Sequence, residues 1–148
     1  MLTNLEHLGL AVRDLDAATA LYTRLLGQAP YKTEHVASEA VDTVFFQVGG
    51  SKIELLAGTS PDSAITKFLE KKPEGIHHVA FEVDDIEAEM TRLRAEGFTL
   101  LNETPKRGAD NKLVCFVHPK SAGGVLVELC QSISQCQPNF KHSESRQQ

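Results

Sequence analysis

Two histidines and two glutamates of this 148-residue chain stand at positions that occur twice. His7 recurs as His78 at a shift of 71 residues, and Glu54 recurs as Glu128 at a shift of 74. Each glutamate sits in an otherwise apolar run, Ile53-Glu54-Leu55-Leu56 and Val127-Glu128-Leu129. A carboxylate flanked by buried residues is costly unless it is paired, and a metal ion is one of the few partners that offset its desolvation. Two imidazoles and two carboxylates make a mixed nitrogen and oxygen set. It suits one divalent first-row ion such as Co, Mn, Ni or Zn, with positions left open for water or substrate. Taken singly, each residue reads as a half-exposed strand histidine or a glutamate on a polar face. As a matched quartet, His7, Glu54, His78 and Glu128 read as the ligands of one metal whose identity their types do not choose.

The matching extends well beyond these four. Residues 5–15 align with 76–86 at the constant shift of 71, and 49–55 align with 123–129 at 74, so a three-residue insertion separates the matched ends. The unit is too long, and present too few times, for a solenoid. It is a duplicated half-domain. In each copy the apolar residues first alternate, Leu8, Leu10 and Val12 or Val79, Phe81 and Val83, which predicts a strand whose second face carries His7, Gly9 and Ala11 or His78, Ala80 and Glu82.

Asp14 and Asp85 then stand where they cap helices. The first places Leu15, Ala18, Leu21, Tyr22 and Leu25 on its apolar side, the second Ile86, Met90, Leu93 and Arg94, and Gly27 and Gly97 end them. Strand-like runs follow at 40–48 and 52–56, and at 98–103, 112–118 and 125–130. The order is βαβββ twice, an α+β chain with two modules in tandem. Module one covers 3–58, a linker helix lies in 59–74, and module two covers 75–131, together one domain over 1–131. The polar residues 132–148 are expected to form a disordered tail.

Neighbouring His77 rivals His78, but the repeat sets it opposite Glu6, and strand alternation sends it to the other face. His35, His118 and His142 have no counterpart in the other copy.

Composition excludes several partners. A formal charge of −5 without a basic stripe disfavours nucleic acid. No apolar run approaches bilayer length, and residues 1–7 lack the features of a signal peptide, so a soluble cytoplasmic protein with no membrane partner is expected. Cys115, Cys130 and Cys136 are an odd number at no metal-like spacing and read as reduced thiols, the first two buried and the third exposed.

Several strings carry a family likeness: Ser60-Pro61-Asp62-Ser63 with Lys67-Phe68-Leu69, Gly75-Ile76-His77-His78-Val79-Ala80-Phe81, and His118-Pro119-Lys120-Ser121 running into Gly124-Val125-Leu126-Val127-Glu128-Leu129. Over residues 3 to about 131 the chain resembles the vicinal oxygen chelate superfamily (glyoxalase, bleomycin resistance and dioxygenase proteins), and within it the methylmalonyl-CoA epimerase family. The resemblance implies a curved mixed sheet around an open metal site, the glyoxalase-like fold. It implies interconversion of R and S methylmalonyl-CoA, a CoA thioester, by metal-stabilised enolate formation and proton transfer at C2. Glu128 would then be both metal ligand and proton-transfer group, Lys120 and Ser121 would contact CoA, and the protein would be a homodimer. Lys106, Arg107 and Lys112 could add phosphate contacts by charge. One position departs from the pattern: Thr43 lies where some relatives carry a glutamate, which leaves Glu39 or a metal-bound water as the second acid or base. The alternatives on the same scaffold are a glyoxalase I (lactoylglutathione lyase) and a non-catalytic small-molecule-binding protein.

Overall fold

The computed structural model describes residues 1–134. Among these residues, eight strands form a single sheet in the order β2-β3-β4-β1-β5-β8-β7-β6. Module one supplies β1 (Leu2–Ala11), α1 (Leu15–Leu26), β2 (Lys32–Val36), β3 (Val41–Val48) and β4 (Ser51–Gly58). After α2 (Ala64–Lys71) module two repeats the plan with β5 (Gly75–Val83), α3 (Ile86–Ala95), β6 (Lys106–Arg107), β7 (Lys112–Val117) and β8 (Val127–Ser132).

The first strands of the two modules, β1 and β5, pair antiparallel at the centre. Each is flanked by the last strand of its own module, β4 or β8, running parallel. A βαβββ unit that ends beside its own beginning, duplicated across a local twofold between β1 and β5, brings four strands that carry ligand candidates into adjacent positions. The sheet curls, and its two faces do different work. The convex face buries α1 against Leu10, Val12, Val44, Phe46 and Leu55, and α3 against Val83, Cys115, Val117 and Leu129. The concave face carries a smaller apolar lining, including Val36, Val41, Leu56 and Ile65.

Both helices begin where the aspartates placed them. Asp14 accepts from the Ala17 amide and Asp85 from the Ala88 amide, each at 3.0 Å, filling an amide that the helix start leaves unbonded. Gly27 closes α1 at φ 68°, a left-handed conformation that glycine adopts without cost. The apolar side of α1 is narrower than its leucines suggest. Leu15, Ala18, Tyr22 and Leu26 pack inward, while Leu21 and Leu25 remain 51% and 70% exposed.

The strands depart from the sequence pattern in three places. Strand β2, with only one apolar residue in Lys-Thr-Glu-His-Val, lies at a sheet edge and gives no alternating signal. Residues 98–103 do not form the expected strand; they touch the sheet through one bridge, Leu100 to Val117, and the edge strand is the pair Lys106–Arg107 instead. Strand β8 starts at Val127, two residues later than expected, because Gly123 and Gly124 both turn through positive φ before it. The expected tail begins inside β8 at Ser132; residues 135–148, Cys136 and His142 among them, lie outside the described residues.

Candidate metal centre

Strands β1, β4, β5 and β8 lie side by side, and each turns one of the four candidate ligands to the concave face. His7, Glu54, His78 and Glu128 are all buried, with 4 to 7% of their surface exposed. The His7 and His78 rings meet edge to face with their Nε2 atoms 3.0 Å apart. His7 Nε2 is 3.0 Å from Glu54 Oε2 and 3.7 Å from Glu128 Oε2, and His78 Nε2 is 3.1 Å from Glu128 Oε2. His7, Glu54 and His78 offer ligand atoms within 4.8 Å of one another, and these three can hold a metal ion. The donor set fits a divalent cation: the imidazole nitrogens of His7 and His78 cluster with a carboxylate oxygen of Glu54, and Glu128 Oε2 lies beside both rings.

Electrostatics in the metal-free arrangement show the same demand for positive charge. Burial would push the His7 imidazole towards neutrality, but the carboxylates of Glu128, Glu54 and Glu6 outweigh it and lift its pKa to about 12. Burial would likewise raise the Glu128 carboxyl, but hydrogen bonds from His7 and His78 hold it down to about 2. A proton on His7 thus stands where a cation would.

The histidine rings reach this point because of what lies beneath them. His78 pairs across the strands with Gly9, and a Cβ at Gly9 would lie 2.1 Å from its Cε1. The repeat-related pair is His7 over Ala80, another small residue.

Two neighbours of the ligands fall where alternation does not send them. His77 does not turn to the opposite face: it lines the same cavity as His7, Glu54 and Glu128. The β1–β5 register explains this, since Gly9 pairs with His78 and Leu10 with Ile76, so that His77 is the extra residue of a bulge. A second bulge skips Glu6 in β1, between the pairs Leu5–Phe81 and His7–Ala80. Glu6 is buried beside His7 and accepts a hydrogen bond from its Nδ1. His77 Nδ1 is 3.0 Å from His78 Nδ1, and its ring meets Phe68 of α2 edge-on. Burial and the neighbouring His78 charge lower the His77 pKa to about 4. No local pattern sends either residue inward; what the sequence does offer is that positions 6 and 77 are themselves repeat-related and both carry ionisable groups.

The cavity encloses about 380 Å³. Thr43, Phe45 and Glu39 line it from module one, and Lys106, Lys112 and Phe116 from module two. Charged pairs tie the two modules across it: Glu39 to Lys106 at 2.6 Å, and Asp110 to Lys52 and Lys32 at 2.7 and 3.0 Å. Thr43 is fully buried and donates its hydroxyl to the Glu34 carbonyl. Lys120 and Ser121 lie on a short 3-10 turn, Pro119–Ser121, outside the cavity wall, where Ser121 Oγ accepts from the Thr99 amide and donates to the His118 carbonyl. His35 pairs with Asp42 on the outer part of β2 and β3 and takes no part. No helix among the described residues is long and apolar enough to cross a membrane.

Residues 6–116 match the profile of the glyoxalase/bleomycin resistance protein/dioxygenase superfamily. The mitochondrial methylmalonyl-CoA epimerase of Homo sapiens is 42% identical over 132 residues, which span 88% of this chain and 75% of that protein. An ethylmalonyl-CoA/methylmalonyl-CoA epimerase of Cereibacter sphaeroides is 42% identical over 133 residues, 88% of this chain and 99% of that protein. Among solved structures, a variant of the Streptomyces coelicolor methylmalonyl-CoA epimerase in complex with 2-nitronate-propionyl-CoA superposes with a TM-score of 0.87 at 35% identity, covering 90% of this chain and 100% of that one.

Proposed function

This chain belongs to the glyoxalase/bleomycin resistance protein/dioxygenase superfamily, and from that premise we propose that it is a methylmalonyl-CoA epimerase. It interconverts the R and S forms by moving a proton at C2, the carbon between thioester and carboxylate. The observation that carries this reading is one of convergence: four buried ligand-type side chains lie together, three of them with donor atoms within 4.8 Å of one another, in a chain 42% identical to epimerases of that name over nearly nine-tenths of its length.

A divalent ion held by His7, Glu54, His78 and Glu128 would polarise both carbonyl groups of the substrate and stabilise the enolate left when the proton departs. The chain's own residues supply the rest. Inversion needs proton-transfer groups on both sides of C2. Glu128, on module two, is assigned to one side. Glu39 is assigned to the other, since it reaches the cavity from module one, where Thr43 is spent on the Glu34 carbonyl. The remaining cavity carboxylates outside the proposed ligand set, Glu6 and Asp110, are each held by two or more cationic partners, whereas Glu39 has, among the described residues, Lys106 alone.

Lys120 and Ser121 are assigned to CoA, with Lys106 and Arg107 supplying further positive charge towards its phosphates. The assignment also takes residues 1–131 as the one catalytic domain, a homodimer as the assembly and the cytoplasm as its location. The exposed Leu21 and Leu25 on α1 favour a buried partner surface. Sedimentation equilibrium at twice the chain mass would support the dimer, and a chain-mass species at micromolar concentration would remove it.

The test of the activity is deuterium wash-in. Protein with Co²⁺ is incubated with methylmalonyl-CoA in heavy water, and label is followed at C2. Exchange above the buffer rate is expected; its absence with every first-row metal would end the reading. Glu39→Gln should keep exchange starting from one stereoisomer while losing inversion, and unchanged inversion would remove Glu39 from its role.

A further inference from the structure

The two bulges place an ionisable side chain behind each ligand histidine, in the same way in both modules. Glu6 stands one residue before His7 and His77 one before His78; both are the extra residue of a bulge between β1 and β5, and both meet the Nδ1 of the following ring. A regular strand could not do this, because adjacent side chains would take opposite faces. With Nδ1 engaged, the Nε2 of each ring is the atom left facing the shared point, where the two lie 3.0 Å apart.

The two supports are not equal. Glu6 is an anion, and its other oxygen is gripped by Lys52, with Lys112 3.6 Å away. Lys52 continues to Asp110, and Asp110 to Lys32, so the carboxylate is held by a chain of charges crossing from β4 to the loop before β7. His77 is an imidazole resting on Phe68 of the linker helix. An anionic acceptor on Nδ1–H fixes which nitrogen is free and makes that nitrogen a stronger donor; an imidazole, which lacks a carboxylate's negative charge, fixes the orientation and adds little basicity.

We infer that Glu6 is the principal positioning residue of the metal centre, holding His7 with Nδ1 protonated and Nε2 turned to the ion, and that His77 performs the weaker counterpart for His78. This rests on the metal reading of the quartet and assigns roles to two residues outside it.

The experiment is a Co²⁺ titration of the metal-free full chain in a competing chelator buffer, read by the d–d absorption of bound Co²⁺ and by the dissociation constant. Glu6→Ala should weaken Co²⁺ binding about 10- to 100-fold, the range typical for removing such a support. Glu6→Gln keeps an oxygen acceptor for Nδ1–H without the charge, and should recover part of that loss. His77→Gln should cost less than Glu6→Ala. Lys52→Met removes the lysine that grips the other oxygen of Glu6 and serves as the control: it lowers thermal stability through the charge chain but should leave Co²⁺ binding no weaker than the parent's. In the Zn²⁺-loaded parent, ¹⁵N-resolved spectra should show His7 with a slowly exchanging Nδ1–H, and Glu6→Gln should retain it.

If the parent takes up no Co²⁺, the metal reading fails and this inference with it. If the parent binds and Glu6→Ala binds within twofold, Glu6 alone loses its role. A Lys52→Met variant that loses as much affinity as Glu6→Ala would also overturn it, by making Glu6 part of a structural salt network only. Should Glu6→Ala fail to fold, the near-isosteric Glu6→Gln decides: affinity equal to the parent's, with Nδ1–H lost, refutes the inference.

Discussion

Replacing Gly9 by alanine should damage a centre that it does not touch chemically. The added Cβ would fall 2.1, 2.4 and 2.6 Å from the Cε1, Nδ1 and Nε2 of His78. Carbon contacts settle near 3.5 Å, so the ring must retreat by at least about 1 Å. It has little room to do so, since His78 is 4% exposed, with His77 on its Nδ1 and the Phe116 ring 6.1 Å away. Metal–nitrogen bonds tolerate about 0.2 Å, so an ångström would remove His78 from the proposed ligand set. Overpacking of this kind costs about 1 to 3 kcal/mol of stability, or roughly 2 to 12 °C in a domain of this size. A misplacement of that size costs about 100-fold in rate. Epimerisation with saturating Co²⁺, followed by isotope exchange at C2, and the Tm of the metal-free protein measure the two effects. A Gly9→Ala protein within threefold of the parent in kcat/KM, with an unmoved Tm, would refute the close packing of His78 on β1.

Glu128→Gln should lower kcat by at least about 100-fold, the low end for losing a general acid or base, while the metal-free variant stays folded; turnover near the parent's would refute its role. In chelator, the Tm should fall with acid and with alkali for separate reasons. The Glu6 and Glu128 carboxyls are held below their ordinary value, so their stabilisation is present above about pH 4.5 and is lost as pH falls towards 2. His7 is raised, so its contribution is complete below about pH 6.5 and drains away as pH rises towards 12, while the lowered His77 subtracts stability as pH falls from 6.5 to 4. A metal-free Tm that stays flat from pH 6.5 to 9 would contradict the protonated His7. Cys115 and Cys130 are buried, and burial pushes the Cys130 thiol up to about 12; neither should react with a thiol reagent until the protein unfolds, and rapid modification of either in the native state would contradict the packing.

What was legible in the chain was whatever the duplication wrote twice. The aspartate caps, the four ligand candidates and the βαβββ order of each half all follow from local pattern and from a repeat that can be counted. What was not legible depends on partners far along the chain. A bulge exists only relative to the strand opposite, so nothing within residues 5–8 or 76–79 announces that Glu6 and His77 turn inward. Edge strand β2 is held by its pairing with β3 rather than by a buried face of its own. Leu21 and Leu25 satisfy a helical period yet flank the stripe that packs, because the curl of β3 and β4 admits only the narrower line of Leu15, Ala18, Tyr22 and Leu26. Thr43 could be placed by alignment, but its engagement with Glu34 needed the β2–β3 register.

On the proposed function, four side chains from two copies of one unit hold a single cation between them. Anomalous diffraction at the cobalt edge, from crystals grown with Co²⁺, tests it directly. One peak is expected within about 2.0 to 2.2 Å of His7 Nε2, His78 Nε2 and a carboxylate oxygen each of Glu54 and Glu128. No peak among the four side chains at full Co²⁺ saturation, or a cobalt held by other residues, would contradict the account.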